Sequence, residues 1–133
     1  MTRRSLPAAA FLIAPALAGC AMDGGLTARQ QADARALAEA RPTGAPVGCV
    51  PLAQIRRTEV RDDRTIDFFL QGGRVLRSTL PGSCAGLGFE RSFSYRTTLD
   101  RLCSADLIRV NHPQGPGATC ALGPFQPVDL PGG

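Results

Sequence analysis

The chain has 133 residues, 44% of them hydrophobic, with no tryptophan, one tyrosine and a formal charge of +4. That length allows one small domain once an export signal is removed. The charge is too near neutral to argue nucleic-acid binding, which usually shows a concentrated basic patch.

Residues 1–20 combine Arg3 and Arg4, an apolar run from Leu6 to Leu17, and Leu17-Ala18-Gly19-Cys20. A basic start, roughly 7–15 apolar residues and a small-residue cleavage site make a secretory signal. The run is shorter than the ~20 apolar residues a membrane-spanning helix needs. Pro7 and Pro15 interrupt it further. Leu-Ala-Gly-Cys resembles a bacterial lipoprotein lipobox. The resemblance implies cleavage after Gly19 and lipidation of Cys20, with a diacylglyceryl thioether and an N-acyl chain such as palmitate. Stable anchoring takes two such signals. Ala21 follows the cysteine, and no aspartate stands there. By the sorting rule of enteric bacteria this assigns the outer membrane over the inner one. The expected location is therefore the cell envelope, facing the periplasm.

Cleavage leaves 114 residues with thirteen arginines against eleven acids, a net side-chain charge of +2. Every basic residue is arginine, so each cation carries a planar head able to grip a carboxylate or phosphate. Four cysteines remain: Cys49, Cys84, Cys103 and Cys120. An even count in a small exported domain predicts two disulfides. Zinc would want close Cys-x2-Cys pairs or clustered histidines, and His112 is the single histidine. Three pairings are open. Cys49–Cys120 with Cys84–Cys103 is the one expected, because it would tie the ends of the domain together.

Residues 20–48 read as a lipid-anchored linker. Thr27 to Arg41 is rich in helix formers with Thr27 as the N-cap. Leu37 is its one large apolar residue, so a marginal helix in a solvated spacer is expected. Pro42, Gly44, Pro46 and Gly48 stop it.

The folded domain is expected to span 49–133. Ile55 to Arg61 predicts a strand, and Asp62-Asp63-Arg64 a turn. Thr65 to Gln71 predicts a second strand, with Ile66, Phe68 and Leu70 on one face. Gly72-Gly73 marks a hairpin, and Arg74 to Leu80 returns as the third strand. Phe89, Phe93 and Tyr95 share period-two spacing, the pattern of one strand face. Thr98 to Arg101 should turn. Ala105 to Asn111 predicts a strand, His112 to Ala118 a loop, and Thr119 to Val128 a final edge strand broken at Gly123-Pro124. Short strands at this spacing argue an all-β fold, a five- or six-stranded barrel or sandwich stapled by two disulfides.

Cys49 with Ile55, Asp62-Asp63-Arg64-Thr65-Ile66, Gly73-Arg74-Val75, Leu80, Cys84-x-Gly-Leu, Leu102-Cys103, Asp106-x-Ile-x-Val and Cys120-x-Leu-Gly resembles a family of uncharacterised proteobacterial envelope proteins. The likeness covers roughly residues 49–128. It implies an exported, often lipid-anchored protein and brings no activity, substrate or catalytic residue.

The chemistry-bearing residues point to binding rather than catalysis. Asp62, Asp63 and Asp67 lack the Asp-x-Asp-x-Asp-Gly pattern of a calcium loop, and Arg61 and Arg64 flank them. Asp63 with Glu90 or Asp106 is the nominal carboxylate pair for a hydrolase acting on envelope polymers. His112 with Ser83 or Ser92 lacks the Gly-x-Ser-x-Gly elbow. No motif implies a metal or cofactor. Arg74, Arg77, Arg91, Arg96 and Arg101, with Tyr95, are the candidate surface for an anionic group of an envelope glycan or protein partner. The expectation is a non-enzymatic, lipid-anchored binding or structural module.

Overall fold

The computed structural model describes residues 25–132, together with residues 9, 10, 12 and 13. Cys20 and the lipobox lie outside the described residues. The fold is mostly β and sandwich-like, and its sheets do not close into a barrel.

The chain enters through helix α1, Ala28–Glu39. Thr27 caps it in both directions: its hydroxyl accepts the Gln30 N–H while the Gln30 side chain accepts the Thr27 N–H. Ten strands follow among the described residues, several of only two or three residues. They are β1 (Arg41–Pro42), β2 (Cys49–Pro51), β3 (Ile55–Val60), β4 (Thr65–Leu70) and β5 (Val75–Thr79). After the one-turn helix α2 (Leu87–Glu90) come β6 (Phe93–Tyr95), β7 (Arg101–Cys103), β8 (Leu107–His112), β9 (Gly115–Ala121) and β10 (Phe125–Asp129).

The main sheet has the order β1-β10-β5-β4-β3, with all pairs antiparallel. Two turns set its register. At the first, the Asp62 carboxylate accepts the Arg64 N–H, which closes β3 onto β4. At the second, Gly72 and Gly73 both take left-handed φ, +81° and +82°, a conformation that side chains with a Cβ resist. Ile66, Phe68 and Leu70 then alternate onto the inner face with Leu76 and Leu80. Opposite them stand β6-β8-β9 and the pair β2-β7, which contribute Val50, Leu102, Ile108 and Val110 to the same core. Phe68 joins the layers, edge-on to Phe125 at 5.3 Å and to Phe93 at 6.4 Å. Full burial of such side chains contributes about 1.5–3 kcal/mol each.

Both disulfides form, but with a different pairing from the one expected: Cys49–Cys103 and Cys84–Cys120. The reason is register. Strand β2 pairs with β7, which sets Cys49 directly opposite Cys103. Cys84, past the end of β5, is fully buried beside β9 and meets Cys120 there. The second bridge therefore ties the main sheet to the smaller one.

Four other expectations change. The folded unit does not start at Cys49, because β1 pairs with β10 and Val47 bridges to Phe125. The segment from Ala28 is not a solvated spacer either, since Asp33 and Ala36 are buried against the sheet. Phe89 does not share a strand with Phe93 and Tyr95: it sits in α2 and is 87% exposed. Finally, the loop 112–118 and the edge strand 119–128 are instead two strands in different sheets. The β8–β9 hairpin turns tightly at His112–Gly115. Gly123 marks the crossing, where a Cβ would lie 2.0 Å from the Thr79 carbonyl oxygen. The Ser78 hydroxyl fills that close approach, donating to the Gly123 carbonyl and accepting its N–H. Strand β10 is not an edge, and it contains Pro127. The Pro127 carbonyl accepts the Thr43 N–H. A residue's N–H and C=O point to the same side of a strand, so the absent donor faces the short β1 margin and not β5.

Candidate binding surface

Strand alternation that buries Phe68 and Leu76 turns a charged set outward. Register places Glu59 opposite Asp67, and Asp67 opposite Arg77. Arg61, at the end of β3, lies on the same face. Helix α1 covers this part of the sheet and adds Asp33.

These residues form one ionic cluster. The Asp67 carboxylate is fully buried and accepts from Arg61 Nε at 2.8 Å and from Arg77 Nε and Nη2 at 2.8 and 2.9 Å. Arg61 Nη1 also reaches Asp33 at 2.9 Å and Glu59 at 2.9 Å. Arg91, just past α2, donates Nη1 to the other Asp33 oxygen at 2.7 Å. Arg77 Nη2 donates to the Ala36 carbonyl of α1. Three arginines thus meet three carboxylates, and no buried side-chain polar atom among the described residues lacks a partner. Such a cluster adds little net stability, yet removing one member is costly, because it strands a buried charge.

Burial alone would raise the Asp33 pKa, but the hydrogen bonds and charges of Arg91 and Arg61 outweigh it and hold the carboxyl below 3.8. Arg61 is held above its ordinary value: burial works against the cation, and Asp67 and Asp33 more than compensate. The stability Asp33 contributes is complete above pH 3.8 and is lost as pH falls through the lower folded-state value. The urea midpoint should therefore be lower at about pH 3 than at about pH 6, and Asp33→Asn should narrow that difference. An equal difference in the variant would exclude Asp33 as its source.

Beyond the end of α1 the outer face is open. A groove of about 1090 Å³ runs between Ala38–Arg41, the sheet and the C-terminal residues 128–132. Phe69, Val75 and Val128 line its apolar part, and Glu39, Arg41 and Arg57 its charged part. The Arg57 guanidinium stacks 3.7 Å from the Phe69 ring centroid, a cation–π contact. Arg57 also pairs with Glu59.

The sequence-derived arginine set is not gathered on one surface. Arg77 and Arg91 are engaged by Asp67 and Asp33. Arg74 is exposed beside the Gly72-Gly73 turn. Arg101 is exposed, 3.8 Å from Asp100. Tyr95 and Arg96 line a separate shallow pocket of about 500 Å³ with Leu52, Thr97 and Thr98. The nominal carboxylates have structural partners: Asp63 accepts the Gly88 N–H and Asp106 the Cys103 N–H. Glu90 Oε1 lies 3.7 Å from His112 Nε2. Ser92 Oγ accepts from the Asn111 amide, and Ser83 lines the cavity beside α1. Among the described residues no group of three or more His, Cys, Asp or Glu could hold a metal.

Sequence reasoning does not single out Asp33, Arg57, Arg61 or Phe69 as site residues. The hairpin centres carry part of the signal: a turn centred on Gly72 places Asp67 opposite Arg77. Nothing local marks Asp33. Neither family models, curated proteins nor solved structures match this chain significantly.

Proposed function

We propose that this protein is a lipid-anchored, periplasm-facing module of the cell envelope, held by Cys20 in the outer membrane, that binds an envelope glycan or protein partner and is not an enzyme. Its likeness to uncharacterised proteobacterial envelope proteins belongs to the same proposal. The observation that carries the binding reading is the open groove with an aromatic and aliphatic lining and arginines at its margin. Two stapling disulfides suit an oxidising compartment.

The alternative, an envelope-polymer hydrolase with paired carboxylates, calls for one carboxyl with a raised pKa. Asp33 is held low, and Glu59 is engaged by Arg57 and Arg61, which favours binding. Two experiments test the proposal. Cys20→Ser should abolish palmitate incorporation in the native host, and persistent labelling would remove the anchor. Envelope partners that co-purify with the detergent-solubilised protein should be lost on Arg57→Glu; retention of every partner would remove the groove.

A further inference from the structure

The attachment of α1 is unusual in what it lacks. Of its twelve residues only Asp33 and Ala36 are buried, and Leu37 remains 37% exposed. The apolar contribution is confined to the Ala36 methyl and the covered part of Leu37. What holds the helix is the Asp33 carboxylate, with one oxygen on Arg61 and the other on Arg91, together with Arg77 on the Ala36 carbonyl.

The Arg61 side chain and the Arg91 backbone are both held without α1. Arg61 is fixed by Asp67 and Glu59. Arg91 has a left-handed backbone, φ +55°, and its N–H closes on the Leu87 carbonyl. The sheet side thus presents one guanidinium held independently of α1, Arg61, and a second, Arg91, anchored through its backbone and spaced so that the pair meets the two oxygens of one carboxylate. A solvent-open cavity of about 610 Å³, bounded by Leu26, Ala34, Arg64 and Gly88, also reaches Asp33, Arg61 and Arg91. An incoming ligand can approach Arg91, the more exposed of the two, before α1 moves.

We infer that Arg61 and Arg91 form a carboxylate-binding site that Asp33 fills from within the chain, and that α1 is a latch released when an external carboxylate takes its place. This inference requires neither the lipid anchor nor the groove. Helices of twelve residues are marginal when isolated, so release permits α1 to unwind. Its span then grows from about 18 Å as a helix to about 40 Å extended. Release also uncovers the outer face of the sheet at Asp67 and Arg77. Asp33 competes at the effective concentration of a tethered group, on the order of millimolar. The ligand must therefore present its carboxylate densely or add contacts in the cavity.

The test uses the disulfide-bonded chain with acetate as the probe, followed by NMR at constant ionic strength. Vacating the site with Asp33→Ala should tighten acetate binding at least ~10-fold, because the closed state no longer reduces the competent fraction. Adding Arg91→Ala should remove the gain. Equal affinity before and after Asp33→Ala, or a gain that survives Arg91→Ala, would overturn the inference. If Asp33→Ala unfolds the domain, the unsubstituted chain decides: acetate in place of chloride should speed amide exchange in α1 and nowhere in β4, and no acceleration would overturn the inference. A response to inorganic phosphate without one to acetate would also overturn the carboxylate assignment.

Discussion

Asp67→Ala should destabilise the domain by about 3–5 kcal/mol, a fall of upwards of ~10 °C in Tm for a unit of this size. Its carboxylate is fully buried and accepts from two arginines on either side of it in the sheet. Alanine leaves the Arg61 and Arg77 guanidiniums, only 7% and 12% exposed, facing each other without the charge between them. Glu59 and Asp33 still neutralise part of Arg61, but the two-pronged hold of Arg77 on Asp67 has no substitute. Thermal and urea unfolding check the expectation. A loss below about 1 kcal/mol, the range of exposed ion pairs, would mean that the cluster is solvated.

The second large effect concerns sulfur. Replacing both Cys84 and Cys120 with alanine should cost about 4 kcal/mol, from the loop entropy restored to the unfolded chain across 36 residues. Loss of the bridge also frees the connection between the main sheet and β9. The Cys49–Cys103 loop is longer, 54 residues, yet chain entropy grows only logarithmically, so its removal should cost a similar amount. A non-reducing peptide map should recover these two pairs. Recovery of Cys49–Cys120 would contradict the β2–β7 register. Stability unchanged by the Cys84/Cys120 substitutions would contradict the stapling role.

How far the fold is legible follows from which interactions are local. The β3–β4–β5 meander is readable because Asp62 bonds within its own turn and Gly72-Gly73 supplies the left-handed φ that a tight hairpin demands. Period-two apolar residues in β4 then fix the buried face. The failures are non-local. Cys49 and Cys103 meet only because β2 finds a strand some fifty residues later, and no spacing rule chooses among three pairings. Residues 119–128 look like one edge strand because of Gly123-Pro124; β10 instead lies between β5 and β1, and the two residues of β1 carry no strand signal of their own. The candidate surface divides the same way. Arg77 is visible in the sequence as a cation, and the Gly72-centred hairpin sets it opposite Asp67, but nothing local marks that pair as buried. Asp33 escapes notice because a helix with one leucine reads as solvated when burial is sought only in apolar residues.

The Asp33 ion pairs are the main polar hold of α1 on the sheet, beside a thin apolar contact from Ala36 and Leu37. Amide hydrogen exchange of Asp33 to Glu39 at neutral pH tests this most directly. The expected result is slowing by about 30-fold or more relative to an unstructured peptide, an opening free energy near 2 kcal/mol, with most of that protection lost in Asp33→Ala. Exchange at peptide rates in the unsubstituted chain, or protection indifferent to Asp33, would contradict it.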